Sequence, residues 1–235
     1  MSTFADKVIS FYSGLDFTGI LPQGVSVLNP YRSNPKILDI VRLFYKKYYD
    51  DNKERHFIIG INPGRFGAGV TGVMFTDTKR LNEICGIKIS GIETRELSSE
   101  FFYKMIEQYG GAEKFYSDFY VGAVSPLGFT VARHDGRIIN CNYYDFDELK
   151  NSLNDFVVES LKKQLSFGIN NHVCFCLGTG KNFSFLQELN KTYGFFGKII
   201  PLEHPRFIMQ YRRKQVDFFI EKYISAFTES GKRIT

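Results

Sequence analysis

Four short apolar runs, HFIIGI at 56–61, FYVGAV at 119–124, HVCFCL at 172–177 and GKIIPL at 197–202, limit what this chain can fold into. Each is apolar throughout rather than alternating, which is the pattern of a strand covered on both faces. Helical patterns separate the runs, at 98–108, 146–165, 181–193 and 209–227. Strands alternating with helices predict a three-layer α/β/α sandwich around a central, mostly parallel four-stranded sheet. Two further amphipathic helices precede it, one carrying Phe4, Val8, Phe11 and Leu15 at helical spacing, the other Ile37, Ile40, Val41, Phe44 and Tyr48. Between them LPQGVSVLNPYRSNP, with its prolines and glycine, reads as an extended connector. The 235 residues suit one domain spanning 1–235.

Composition excludes several classes. With 43% hydrophobic and 23% charged residues the chain matches ordinary soluble globular proteins. No apolar run approaches the ~20 residues needed to span a bilayer, and Asp6 and Lys7 interrupt what a signal peptide would need as an apolar core. The expectation is a cytoplasmic monomer, nucleoid-associated in a bacterium, without a membrane partner. Cys85, Cys141, Cys174 and Cys176 match no zinc or iron–sulfur spacing and read as buried reduced thiols, and four histidines without an HxH or HExxH pair give no metal site. No cofactor is expected. The net charge of +5 is compatible with an anionic partner, and it concentrates locally in HPRFIMQYRRKQ, whereas Lys46 and Lys47 read as a solvated helix face.

In open α/β sheets ligands bind beyond the carboxyl ends of the strands. The unusual segments all fall there: NPGRFGAGVTGVMF after the first run, SPLGFT after the second, GTGKN after the third and EHPRFIMQYRRK after the fourth. A nucleotide-binding reading of GTGK fails, since a P-loop needs glycine where Phe175 stands and Ser or Thr where Asn182 stands. What remains is either a plain turn into a helix or a helix N-terminus able to bind a single phosphate, with Lys181 beside it.

The first of these segments carries a resemblance. GINPGRFGAGVTGVMF, from Gly60 to Phe75, is similar without a gap to motif 1 of the single-strand-selective monofunctional uracil-DNA glycosylases, a branch of the uracil-DNA glycosylase superfamily. Gly60, Asn62, Pro63, Gly64, Phe66, Gly67, Thr71, Gly72, Val73 and Phe75 coincide with that motif. LGTGK resembles the turn after the family's third strand, and His204-Pro205 falls where its motif 2 opens. The resemblance runs from about Gly60 to the end, and the N-terminal VLNPYRSNP is similar to the second, bacterial division of the branch.

The resemblance implies a monofunctional glycosylase that excises uracil, with other deaminated bases such as xanthine as further substrates, from DNA by hydrolysing the N-glycosidic bond to initiate base excision repair. Such an enzyme takes a damaged base out of the stack into a pocket. By resemblance, Phe75 stacks on the base, while Gly64 leaves space beside uracil C5 and lines the pocket floor with Ile61. His204 donates a hydrogen bond to the departing base, and Asn62 orients a water toward C1′ without removing its proton. HPRFIMQYRRK enters DNA: a wedge from Phe207, Ile208 or Met209, or the side chain of Arg206, fills the gap left by the base, and Arg212, Arg213 and Lys214 meet phosphates. Phe207 and Ile208 packing beneath the last helix is the alternative. Arg65 and Lys181 join the expected DNA contacts.

Departures from the pattern are informative. Ala123 stands where vertebrate-type members have the asparagine that reads the uracil edge, so backbone groups or Ser125 must compensate, or selectivity shifts toward bases such as xanthine. Arg65 and Met74 replace prolines. Asp77 reads as a helix N-cap, with Thr76 the alternative, rather than as a catalytic base. Two rival classes are a non-catalytic module binding damaged or single-stranded DNA, which needs neither Asn62 nor His204, and a nucleoside enzyme, which has no use for HPRFIMQYRRK.

Overall fold

The computed structural model describes residues 2–89, 91 and 93–231. An aromatic, tyrosine-rich layer forms first along the chain. Helix α1 (Phe4–Ser13) starts from a capping box in which Thr3 and Asp6 satisfy each other's backbone N–H groups. Strand β1 (Val25–Leu28) and the single turn α2 (Pro30–Ser33) follow, then α3 (Pro35–Tyr49), which opens with proline at its first turn and Asn34 as cap. The strand β2 (Arg55–Gly60) leads into two short helices, α4 (Ala68–Thr71) and α5 (Thr78–Glu83). Then come α6 (Leu97–Tyr109), α7 (Ala112–Asp118), β3 (Phe119–Ala123), β4 (Gly128–Ala132), β5 (Ile138–Cys141) and α8 (Asp147–Leu165). The chain ends with β6 (Ile169–Leu177), α9 (Lys181–Tyr193), β7 (Lys198–Leu202), α10 (Pro205–Tyr211) and α11 (Val216–Gly231).

The four expected strands make one parallel sheet in the order β3-β2-β6-β7. Successive side chains alternate between its faces. Tyr120 packs on Phe4 of α1 and on Phe167 just beyond α8, at ring distances of 5.5 and 5.8 Å. Phe119 and Phe175 point the other way, to Phe227 of α11, at 4.6 and 4.8 Å. Helices therefore cover both faces, which is why these strands carry no polar alternation. The four cysteines are free and buried.

Two readings from sequence are corrected. The supposed connector contains β1, and GFTVA and IINC form β4 and β5, so a second, antiparallel sheet of order β1-β4-β5 flanks the first. The β4–β5 turn is closed by Arg133 donating to Arg137 and Gly136 to Arg133, with Gly136 at φ 77°. This hairpin was signalled by Asp135-Gly136 between two apolar runs. The expected helix at 209–227 is two helices instead. α10 begins at Pro205 and stops at Tyr211, and a 3-10 turn at Arg213–Gln215 redirects the chain into α11.

Candidate active site

The turn after β2 is tied down from three sides before it reaches solvent. Val124 and Ser125 donate their backbone N–H groups to the carbonyls of Gly60 and Ile61, binding the turn to the end of β3. Gly67 and Gly69 donate to the Gly64 carbonyl, folding NPGRFG back on itself, and Arg65 N–H donates to Asn140 Oδ1 of β5 at 3.2 Å. Asn62 itself is held by the antiparallel sheet. Its amide Nδ2 donates to the Cys141 carbonyl at 3.3 Å, and its Oδ1 accepts from the Tyr143 N–H at 3.1 Å. One lone pair of Oδ1 remains to hold a water.

Phe75 reaches the same place from the far end of the motif. It is the one described residue other than glycine in the left-handed region, at φ 53°. Its ring stacks on Phe102 at 4.9 Å and lies over Gly60, where any Cβ would stand 2.8 Å from it. Gly60 therefore has to lack a side chain. The His204 ring sits 5.7 Å from Phe75.

His204 caps α10. Its Nδ1 accepts from Arg206 N–H at 3.2 Å, so the neutral ring carries its proton on Nε2. Burial, and then the charge of Arg206, push its pKa down to about 4. At neutral pH the ring is an uncharged donor.

Asn62 and His204 meet in one pocket with Ile61, Gly64, Phe75 and Ala123. Ser125 stays behind this wall: it is fully buried and its hydroxyl donates to the Leu127 carbonyl at 2.8 Å, which corrects its assignment to the base edge. Ala123 offers only a methyl, and its carbonyl accepts from Gln164 Nε2 at 3.1 Å.

The pocket opens into a wider cleft lined by Arg65, Phe66, Asn140, Asn142, Arg206, Phe207, Gln210 and Tyr211. Phe66, Phe207 and Tyr211 are exposed. Arg65 lies over the Phe66 ring at 5.1 Å and Arg212 over Phe207 at 5.8 Å. Exposed aromatic faces beside guanidinium groups suit stacked bases and phosphates together. Ile208 is fully buried and Met209 nearly so, which removes both as wedges: they anchor α10 while Phe207 faces out. Arg213 pairs with Glu100 at 3.0 Å. Lys181 is exposed at the start of α9 and lines neither pocket nor cleft.

Sequence reasoning missed Glu96, the N-terminal cap residue of α6, and Ser98, both of which line the pocket. Glu96 is placed by Asp77, which caps α5 by accepting from Arg80 N–H at 2.9 Å and also accepts the Glu96 N–H at 2.8 Å. Burial, opposed by Arg206 and reinforced by Asp77, raises the Glu96 pKa to about 7. Among the described residues no group of three or more His, Cys, Asp or Glu side chains is set to hold a metal, and no helix is long and apolar enough to cross a membrane.

The family model "Uracil DNA glycosylase superfamily" matches residues 46–228. No curated protein matches. The crystal structure of wild-type Pedobacter heparinus SMUG2 superposes with a TM-score of 0.97 at 50% identity, covering 99% of this chain and 100% of that one. With the motif, the fold and the full-length match coinciding, this chain belongs to the uracil-DNA glycosylase superfamily, on the branch that includes SMUG2.

Proposed function

We propose that this protein is a cofactor-free, monofunctional DNA glycosylase that excises uracil, and other deaminated bases such as xanthine, from DNA. The observation that carries the reading is the meeting of Asn62 and a neutral, tautomer-fixed His204 in one pocket beside Phe75. The C1′–N bond breaks with its electron pair leaving on the base, whose charge spreads to O2, while the sugar gains oxocarbenium character. His204 Nε2–H donates to that developing oxyanion. Neutral imidazole gives up this hydrogen bond without transferring a full proton, so the base leaves as an anion. Asn62 Oδ1 holds the water that attacks C1′, and the amide takes no proton, which suits a sugar cation formed before attack. The proton that the water sheds as it bonds to C1′ is taken up by the departing base anion, so neutral free base and an abasic site result.

Phe75 stacks on the extruded base, and Gly64 and Ile61 shape the pocket beside it. Arg65, Arg206 and Phe207 line the cleft through which DNA approaches, and Arg212, stacked on Phe207, meets the backbone. The whole chain acts as one domain and as a monomer on this reading, with no lysine at the catalytic positions to form an imine.

The test uses end-labelled single-stranded oligonucleotides carrying one uracil or one xanthine, treated with wild type, Asn62→Ala or His204→Ala, then with alkali. Scission at the damaged base only after alkali, lost by on the order of 100-fold to 1,000-fold in each variant, is expected. Binding without base release from either substrate would replace this reading with the damage-binding module, and a trapped covalent imine would refute the monofunctional assignment.

A further inference from the structure

The pocket contains a carboxyl that the proposed reaction does not use. Glu96 Oε1 lies 3.5 Å from where a Cβ on Gly64 would stand, and Oε2 only 1.8 Å from one on Gly67. The carboxyl therefore rests on the glycine side of the pocket, in space those glycines leave open. Its backbone N–H is committed to Asp77, yet among the described residues nothing hydrogen-bonds its carboxyl oxygens.

The other polar groups of the pocket are mostly engaged. Asn62 is held at both ends by β5 and the residues after it, and His204 Nδ1 is taken by Arg206. Ala123 brings no polar side chain. A deaminated base differs from its parent by a carbonyl where an amino group stood, so recognition needs a donor aimed at that oxygen. The neutral carboxylic acid is such a donor, whereas the ionised form turns two negative oxygens toward the base.

Resting on the glycosylase reading, we propose that Glu96 is a specificity-determining residue whose carboxyl, as the neutral acid, donates a hydrogen bond to the carbonyl of the deaminated base lying against Gly64 and Gly67. Charged and titratable groups face it from each neighbouring element: Arg206 of α10 attracts the ionised form, Asp77 ahead of α5 opposes it, and Arg65 and His204 share its cavity. With burial the largest influence, the acid form persists to about pH 7. Above that the carboxylate repels both the base oxygen and the negative charge that bond cleavage places on the base.

The experiment measures single-turnover release of uracil from roughly pH 5.5 to 9 for wild type, Glu96→Gln and Glu96→Ala. Wild-type release should fall above about pH 7, approaching tenfold per unit. Glu96→Gln keeps a neutral donor of the same shape and should retain activity with the fall abolished. Glu96→Ala should lose on the order of 10-fold to 100-fold at the acidic end and be flat. A Glu96→Gln variant that keeps the wild-type pH profile, or is as impaired as Glu96→Ala, overturns the assignment, as does full activity in Glu96→Ala. Wild type that releases neither uracil nor, from a parallel oligonucleotide, xanthine at any pH overturns the glycosylase reading itself, a distinct result.

Discussion

Gly128→Ala tests whether the antiparallel sheet positions Asn62. Gly128 opens β4, and a Cβ there would lie 2.3 Å from the Pro63 carbonyl oxygen and 3.1 Å from Leu28 Cδ2. A carbon–oxygen contact needs roughly 3.3 Å, so one side must move by about 1 Å. The leucine can turn aside, but the carbonyl is backbone. β4 is fixed between β1 and β5, with Gly128 opposite Leu28 and Phe129 opposite Cys141. The turn bearing Asn62 therefore gives way, lengthening its 3.3 Å and 3.1 Å bonds to Cys141 and Tyr143. A misplacement of ~1 Å at a catalytic group is worth about 100-fold in rate. Overpacking of this kind costs about 1–3 kcal/mol, or about 2–12 °C in melting temperature at this chain length. Single-turnover uracil release and thermal unfolding on the same preparation separate the two effects. A folded Gly128→Ala protein releasing uracil within about threefold of wild type would refute the argument that this close approach sets the catalytic geometry.

Other expectations follow from single contacts. Arg55 is buried, bridges Asp51 at 2.8 Å and lies over Phe4 and Tyr49, so Arg55→Ala should lower stability by about 3 kcal/mol in urea unfolding while leaving the release rate of folded protein unchanged. His204 binds a proton less readily folded than unfolded, so its contribution to stability rises with pH between its depressed value of about 4 and the ordinary 6.5, while Glu96, raised from 4.5 to about 7, contributes the opposite slope; His204→Gln should therefore remove the rising contribution and leave stability falling more steeply with pH than in wild type in urea titrations. Phe207→Ala should weaken oligonucleotide binding by on the order of 5-fold to 100-fold in a fluorescence titration without lowering the melting temperature, since the ring is 41% exposed. Ile208→Ala should do the reverse, costing about 2–4 kcal/mol of stability, because that side chain is fully buried.

The parallel sheet was legible because continuous apolar runs have few other destinations than a doubly covered strand, and the cap at Asp77 because TDTKRL carries its own start signal. Asn62, Gly64, Phe75 and His204 were singled out by the resemblance that the segments at the strand ends carry, and the structure brings the four to one pocket. β1, β4 and β5 were not legible, because four- and five-residue strands leave too little periodicity to separate from connector, although Asp135-Gly136 marked the hairpin. Ile208 was left between a wedge and a packed side chain for a related reason, and it is the packed one: splitting 205–231 into two helices rotates which residues face inward, and nothing in RFIMQYRRK fixes that rotation before the break at Arg212 is known. Glu96 left no trace at all, since its burial depends on Gly64 and Gly67, about thirty residues away, lacking side chains where the carboxyl lies.

That dependence links the glycines of motif 1 to chemistry rather than to turn geometry alone. Gly67 has no left-handed backbone to demand glycine, yet a methyl there would overlap Glu96 Oε2. Because the far end of a glutamate side chain can swing away, Gly67→Ala should fold, and its effect should appear in the pocket. If Glu96 acts as proposed, displacing its carboxyl should reproduce the loss expected of Glu96→Ala, and Gly67→Ala combined with Glu96→Ala should be no worse than either alone. Additive losses in the double variant would instead assign Gly67 to the backbone of the turn, and Glu96 would lose its main steric argument.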